Sequence, residues 1–358
     1  MAYTAIDSPG TTAFNTVTYT GSGTAQSITG VGFQTDFGFI RKNAGANSYL
    51  YGPVTGKSGS DYYYNSANDG AVQATSSAAV ASIDSDGFTF QSGSPLDNVN
   101  TGSAAYTSWN WKGGTTTGID TTGSTITPSA YSFNQATGFS AVKYTGNNTS
   151  GALLAHGLGA VPEMVWLKNL DAGEDWAMYH KWMDATPASY GSPEDYAQPL
   201  NGSGTRFNIA TYWNDTAPTS VNMCLGNNAA TNNTDDYVAY FFTGIQGYSK
   251  FGYYEGNADV DGIFVYTGFR PAYIFAVSLD GSSSRMVFDN RRVGFNPDND
   301  VIDIGSAGAT SDALYCNINS NGFHWKTAGD PNVAETFIYA AFAESPLVNS
   351  EGVPTNAR

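Results

Sequence analysis

The sequence is poor in charge and in cysteine, and it contains no long apolar run. Asp, Glu, Lys and Arg make up only 13% of its 358 residues, about half of the usual globular share. Neither Cys224 nor Cys316 lies in a Cys-x-x-Cys motif, so both are interpreted as small buried side chains. No apolar stretch approaches the ~20 residues of a membrane helix, and no secretion signal precedes the first strand pattern. We therefore expect no membrane insertion.

Basic residues are the scarcer of the two charged classes. The chain has 15 Lys and Arg against 31 Asp and Glu, which gives a formal net charge of −16. No run of basic residues offsets this acidity locally. A phosphate backbone would be repelled by such a surface, so nucleic acid is not an expected partner.

Motifs that carry catalysis are also missing from the sequence. There is no Gly-x-Ser-x-Gly elbow, no phosphate-binding glycine loop and no pair of histidines at zinc-ligand spacing. His156 is expected to cap a turn or to bond a strand-end carbonyl, and His180 to pack on a strand face. Adjacent acids such as Asp235 and Asp236 are expected by chance in a chain with 31 acids. The chain is therefore not expected to be an enzyme.

Glycine, tyrosine and phenylalanine are abundant instead. The sequence has 41 Gly, 23 Tyr and 20 Phe, and apolar residues make up 41% of it. Aromatic and β-branched residues favour strands, and frequent glycine favours the tight turns that join them. The composition predicts an all-β protein.

One strand pattern recurs three times at a period of about a hundred residues. Each copy opens with an alternating strand that stops at glycine, continues through a Gly or Pro elbow into an apolar strand, and closes on an aromatic strand. The opening strands end at Gly21, Gly146 and Gly256. The closing strands of the second and third copies carry large apolar groups at odd and even positions, which is typical of strands buried on both faces.

We predict three tandem antiparallel β-sandwich units of jelly-roll or lectin-like type. The first unit comprises residues 1–112, the second 138–243 and the third 244–358, and residues 113–137 form a linker rich in Gly, Thr and Ser. This linker predicts that the first unit moves freely. The short connection at 243–247 predicts a fixed angle between the second and third units.

Two groups of residues are candidates for ligand binding. Asp298, Asp300 and Asp303 lie in an oxygen-rich stretch that could wrap Ca²⁺, although an Asx-rich turn is the plainer interpretation. No other cofactor is expected. The aromatic candidates, which could stack on sugar rings or could be ordinary sheet residues, are Tyr62, Tyr63, Tyr64 and Trp213.

Several ordered stretches carry a resemblance to a known group of proteins. They are TGIDTTGSTITP at 117–128, HGLG at 156–159, TYWNDTAPT at 211–219, GYSKFG at 247–252, AAFAE at 340–344, and GVP at 352–354 with Ala-Arg at 357–358. With these stretches the chain resembles a family of virion and tail-fibre-like proteins of tailed, mainly marine, bacteriophages. The family's biochemistry is unassigned, so the resemblance implies a place in the virion and transfers no catalytic residues.

Two functions follow from this resemblance. The first is a tail-fibre-like, receptor-binding component that contacts a glycan or protein of the host envelope through polar and aromatic loops. The second is a non-enzymatic capsid decoration or tail connector protein, bound to other tail or capsid proteins. Fibre-like proteins of bacteriophages are commonly trimeric, so the resemblance implies a homotrimer. Aromatic groups on both faces of the closing strands, together with Tyr62 to Tyr64, support the same prediction, because neighbouring copies would cover them. The alternative is that adjacent units of one chain cover these faces.

Overall fold

The computed structural model describes residues 13–45, 48–58, 61–62, 64–66, 80–91, 99–186, 191–281, 284–292, 296–308 and 311–343. Strands make up 45% of the protein and helix 4%. All strands that pair within the named sheets pair antiparallel. The predicted all-β class is confirmed.

The first unit contains three sheets. Their orders are β1-β10-β3-β4-β7, β2-β9-β8 and β5-β6. The strands are β1 (Phe14–Thr20), β2 (Gln26–Thr29), β3 (Phe37–Lys42), β4 (Ser48–Tyr51), β5 (Lys57–Ser58), β6 (Asp61–Tyr62), β7 (Tyr64–Ser66), β8 (Val80–Asp84), β9 (Gly87–Phe90) and β10 (Ala105–Trp111).

The second unit contains one large and one small sheet. A single helical turn, α1 (Ala210–Trp213), precedes its penultimate strand. The strands are β11 (Ala130–Asn134), β12 (Phe139–Thr145), β13 (Ala152–Ala155), β14 (Met164–Asn169), β15 (Ala177–His180), β16 (Tyr196–Pro199), β17 (Phe207–Asn208), β18 (Asn222–Leu225) and β19 (Asp236–Phe242). Their orders are β11-β12-β19-β14-β15-β16-β17 and β13-β18.

The third unit forms one continuous sheet. Its order is β20-β27-β22-β23-β24-β25-β26-β21. The strands are β20 (Ser249–Glu255), β21 (Phe264–Tyr266), β22 (Pro271–Ser278), β23 (Met286–Asp289), β24 (Asp298–Asp303), β25 (Ser311–Asn319), β26 (Gly322–Trp325) and β27 (Thr336–Ala343).

The repeat seen in the sequence is also a repeat of topology. In each unit the opening strand pairs with the closing strand, which pairs with the central apolar strand, which pairs with the next strand in the chain. These paths are β1-β10-β3-β4, β12-β19-β14-β15 and β20-β27-β22-β23. A second strand pairs with a late strand in every unit, as β2 with β9, β13 with β18 and β21 with β26.

Equivalent contacts hold the opening strand in all three units. A tyrosine near its end stacks on an aromatic ring of the closing strand, with ring centroids 5.1 Å apart in every copy. The pairs are Tyr19 with Tyr106, Tyr144 with Tyr237, and Tyr254 with Phe337. Each of these tyrosines donates its hydroxyl to a backbone carbonyl, those of Val99, Thr231 and Pro331.

The residue that follows each of these carbonyls is a fully buried asparagine: Asn100, Asn232 and Asn332. Its carboxamide accepts a backbone N–H of the turn after the opening strand and donates to a carbonyl further along that turn. The turn begins at the glycine that the sequence pattern singled out. These glycines are Gly21, Gly146 and Gly256. A Cβ at any of them would lie 2.2 Å or less from a carbonyl oxygen, so no larger residue fits.

The three units share one central core. Alternate residues of each closing strand face opposite ways, so that Tyr237 and Phe241 enter the second unit's own core while Tyr240 and Phe242 face the other units. We call the shared group the central cluster. Its aromatic members are Phe14, Phe37, Phe39, Trp109, Trp111, Phe139, Trp166, Trp176, Tyr240, Phe242, Tyr248, Phe251, Tyr273, Phe275 and Phe342.

Ring contacts in the central cluster join every pair of units. The ring centroids of Phe37 and Tyr240 are 4.1 Å apart, those of Phe14 and Phe342 are 5.5 Å apart, and those of Trp166 and Phe275 are 5.6 Å apart. The units therefore meet around a common centre, and the expectation that the first unit moves freely is wrong. The aromatic faces that motivated a homotrimer are covered within one chain.

Buried polar contacts reinforce these junctions. Arg41 of the first unit donates to the carbonyls of Ser306 and Gly308 in the third. Arg285 of the third unit donates to the carbonyl of Pro199 in the second at 2.7 Å. Both guanidinium groups are fully buried, so loss of either set of carbonyl partners would leave a desolvated charge.

The segment 113–137 is ordered structure rather than a free linker. Its residues 130–134 form β11, which pairs with β12. The carboxylate of Asp36 in the first unit accepts hydrogen bonds from Ser132 Oγ at 2.7 Å and from the Gly113 N–H at 2.9 Å. The small polar residues of this segment form a paired strand and turns. Composition alone does not distinguish such an ordered segment from a flexible linker.

Candidate functional site

The best candidate site is an open groove between β20 and β21. The equivalent gap in the second unit, between β12 and β13, is filled by residues 113–137, which we call the cover segment. In it β11 pairs with β12, while the N–H groups of Thr125 and Ile126 both donate to the Leu153 carbonyl at 2.9 and 3.0 Å. The third unit follows the second after a short connection that holds no such segment, and its gap forms a groove of about 400 Å³.

Aromatic side chains line this groove. Phe264 and Tyr266 are 46% and 56% exposed, whereas Val265 between them is buried in the third unit's core. Alternation along β21 produces this arrangement because neighbouring residues in a strand point to opposite faces. Trp182 of the second unit and Tyr253 of β20 form the facing wall, both half-buried, with ring centroids 4.9 Å apart.

Two lysines give the groove a positive character. Lys181 forms an ion pair with Glu163, with Nζ 2.8 Å from Oε2. Lys250 donates from Nζ to the Tyr266 carbonyl at 2.7 Å, and the ammonium lies 5.2 Å from the centre of the Tyr266 ring. Burial, together with the charge of Lys181, lowers the pKa of Lys250. Lys250 has no carboxylate partner among the residues that the structure describes.

This set of side chains suits binding rather than bond cleavage. The lining residues are aromatic, aliphatic or lysine, with one glycine. Flat exposed rings can stack on a ligand ring, and ammonium groups can bind its oxygen atoms. The sides of the groove are packed strands, because Phe251 of β20 belongs to the central cluster and Val265 of β21 to the third unit's own core. The shape of the groove is therefore fixed before a ligand arrives.

The aromatic candidates from the sequence lie elsewhere. Tyr62 ends β6 and Tyr64 begins β7. The side chains of both, and the whole of Tyr63, lie outside the described residues. Trp213 is fully buried, and its Nε1 donates to the Tyr196 carbonyl at 3.1 Å. Its indole has no exposed face for a sugar, so Trp213 is corrected to a core residue.

The acidic candidates for Ca²⁺ share β24 but do not converge. Asp300 and Asp303 are three residues apart in a strand and so point to opposite faces. The Asp303 carboxylate accepts the N–H groups of Arg285 and Gly305 at 3.0 and 2.9 Å, which fits the turn interpretation. The side chain of Asp298 is outside the description. Within the described part of the chain, no three His, Cys, Asp or Glu residues are grouped to hold a metal ion.

The buried histidines serve structure. His156 accepts the Leu158 N–H at Nδ1 and places Nε2 3.1 Å from the Thr219 carbonyl, which confirms the expected turn-capping role. The Nε2 of His180 lies 3.2 Å from the carbonyl of Tyr339, across the junction of the second and third units. Burial lowers the pKa of His156 to about 4 and that of His180 to about 3.

The groove residues leave little trace in the amino-acid sequence. Phe264 and Tyr266 flank a single valine in a three-residue strand, too short for a convincing alternation. Lys250 was part of a stretch that carried the resemblance, but its position near Tyr266 depends on the pairing of distant strands. The one usable signal was the short connection at 243–247, which leaves the third unit without a cover segment.

Comparisons with known proteins give a family but no activity. The model of the family described as "Domain of unknown function (DUF7483)" matches residues 9–346 of the chain. No curated protein and no solved structure matches it. Among the described residues, no helix has the length and apolar character needed to cross a membrane.

Proposed function

We propose that this chain, which belongs to the DUF7483 family, is a surface protein of a tailed-bacteriophage particle and a tail-fibre-like, receptor-binding component. The resemblance described above supports the virion location. The open aromatic groove between β20 and β21 supports the binding function. The partner is a glycan or protein of the host envelope, and the protein acts without catalysis or a bound cofactor.

The architecture fits this role. We further propose that each unit acts as a β-sandwich of jelly-roll or lectin-like type, in which loops and strand edges are available for recognition. The central cluster holds the three units in fixed positions, so the groove keeps one orientation relative to the rest of the chain. Rigid presentation of a site lowers the ordering cost of binding.

A capsid decoration or tail connector protein is the second candidate. The observation that favours it is the arrangement of the units around one centre, which makes a compact block rather than an extended shaft. In this role the partners are other tail or capsid proteins. A homotrimer is compatible with either role, and its support is now the resemblance alone, because the aromatic faces are covered within the chain.

Labelling and competition distinguish these roles. Gold-labelled antibody against the protein should mark the tail tips of a bacteriophage that encodes a member of the family. Added purified protein should also slow the adsorption of that bacteriophage to its host. Gold over the head together with unchanged adsorption would favour the decoration role, and unlabelled particles would contradict both. Light scattering on the purified protein tests the homotrimer by its mass.

A further inference from the structure

We infer that the groove between β20 and β21 binds a carboxylated sugar chain, with a sugar ring against Phe264 and Tyr266 and its carboxylate on Lys250. This inference rests on the proposed receptor-binding function and names the class of ligand. It follows from the way the third unit departs from the second, from the exposed rings, and from the charge in the groove.

The same position carries different residues in the two units. Ser140 and Lys250 each lie four residues before the tyrosine that stacks on the closing strand. Ser140 is fully buried beneath the paired cover segment. Lys250 is only partly buried and extends from β20 to the Tyr266 carbonyl of β21. The third unit thus has a cation and exposed rings where the second unit has a buried serine and a protein cover.

Exposed aromatic rings on a rigid strand are costly to leave in water and useful for stacking. The opposite wall, Trp182 and Tyr253, is tied to the central cluster, and the groove volume of about 400 Å³ lies within the range of small-ligand sites. The C–H bonds on one face of a sugar ring complement the electron-rich face of an aromatic ring. The groove has the size and lining for one or two sugar residues.

The charge in the groove selects a singly charged ligand. Lys181 and Lys250 contribute two positive charges, and Glu163 cancels one of them. One net positive charge suits a carboxylate, whereas a phosphate group carries nearly two negative charges at neutral pH. The Lys250 ammonium has three donors and uses one on the Tyr266 carbonyl, so further donors remain for a ligand oxygen.

An added peptide strand fits the groove less well. The outer edge of β20 has no strand partner within the described part of the chain. The N–H of Gly256 donates to the Glu335 carbonyl and that of Ala343 to the Tyr248 carbonyl, at the two ends of the β20–β27 ladder. The backbone groups of the odd-numbered residues of β20 therefore point outward. The Lys250 side chain, however, spans from β20 to β21, and a lysine on an edge strand discourages pairing with another chain.

Calorimetric titration with an oligogalacturonate tests the inference directly. The carboxyl-reduced form of the same oligosaccharide is the matched probe, because it keeps the rings and lacks the charge. The variants are Tyr266→Ala and Lys250→Gln, and the control is Leu314→Ala, another exposed apolar residue of the third unit at 61% exposure. Circular dichroism should show that all variants keep the wild-type fold.

We expect the wild type to bind the charged form and to bind the reduced form on the order of tenfold to a hundredfold more weakly. Tyr266→Ala should weaken binding of both forms, Lys250→Gln should remove the preference for the charged form, and Leu314→Ala should change neither. Absence of binding by the wild type, or binding unchanged in Tyr266→Ala and Lys250→Gln, would overturn the inference.

The outcome for the proposed function is separate. Protein that slows bacteriophage adsorption but ignores the oligogalacturonate keeps the receptor-binding role and contradicts the assigned ligand. A protein that binds the oligogalacturonate but leaves bacteriophage adsorption unchanged supports the assigned ligand and contradicts the receptor-binding function. Adsorption lost with Tyr253→Pro but unaffected by oligogalacturonate would indicate strand addition at β20 instead.

Discussion

Removal of one ring from the central cluster should destabilise the whole chain. Phe342 belongs to the third unit, and only 2% of it is exposed. Its ring centroid lies 5.5 Å from those of Phe14 and Trp111 in the first unit and 6.0 Å from that of Phe242 in the second. Phe342→Ala therefore removes contacts to two other units as well as to its own.

The expected cost is about 3–5 kcal/mol, the usual range for a buried Phe→Ala change. Phe323→Ala is the matched control. Phe323 is also fully buried, but its ring neighbours, Trp325 and Tyr339, both belong to the third unit, with centroids 5.0 and 5.5 Å away. Each variant removes one buried phenyl ring, so the loss of hydrophobic stabilisation should be similar in both. The two variants should differ in which units are destabilised.

Hydrogen exchange of the backbone amides distinguishes the two variants. In Phe342→Ala, amides of β10 in the first unit should lose protection from exchange, because Trp111 of β10 loses its ring contact with Phe342. In Phe323→Ala the loss of protection should be largest in β26 and β27 and smaller in β10. If β10 keeps its full protection in Phe342→Ala while the third unit opens, the units do not share a core and the reasoning is refuted.

Three further predictions concern the contacts that recur in each unit and the junctions between units. Asn232→Ala should lower the free energy of unfolding in urea by roughly 3 kcal/mol, because buried backbone groups of the turn lose their partners. A loss below about 1 kcal/mol would show that the asparagine does not hold the turn. Tyr144→Phe should cost about 1–3 kcal/mol and leave the stacked ring in place, with Thr145→Val as an exposed neighbouring control. His180 has a pKa lowered to about 3 by burial, so only the unfolded chain takes up a proton as the pH falls below about 6.5. Its contribution to the free energy of unfolding is therefore complete above that pH and is lost toward pH 3, by roughly 3 kcal/mol at pH 4. His180→Gln should reduce the fall in the free energy of unfolding between about pH 6.5 and pH 4. An unchanged fall would show that the histidine is not responsible.

Much of the local structure was accessible from the sequence. The glycines at the ends of the opening strands, the apolar central strands and the aromatic closing strands all lie where the patterns predicted them. These features depend on neighbouring residues, on strand alternation and on the steric demands of a turn, and such short-range constraints leave a direct trace in the sequence.

The relations between units were not accessible in the same way. The pattern around Tyr240 and Phe242 predicts burial on both faces of a strand but does not say which surface covers the second face. The cover segment has the composition of a flexible linker, yet Ile126 is 4% exposed and takes its place in the core of the second unit. These contacts depend on how strands that are far apart in the sequence pack together. The two-residue alternation of a strand carries no information about that packing.

The cover segment also removes one possible binding site from the chain. Three copies of one topology suggest three equal grooves, but the second copy has closed its own gap with a piece of the same polypeptide. Ligand sites therefore do not multiply with the repeats, and a single chain engages a repetitive sugar polymer weakly through its open groove. Strong attachment to a cell surface then depends on how many chains a particle displays and how far apart they stand, because each additional engaged chain multiplies the residence time without any new contact.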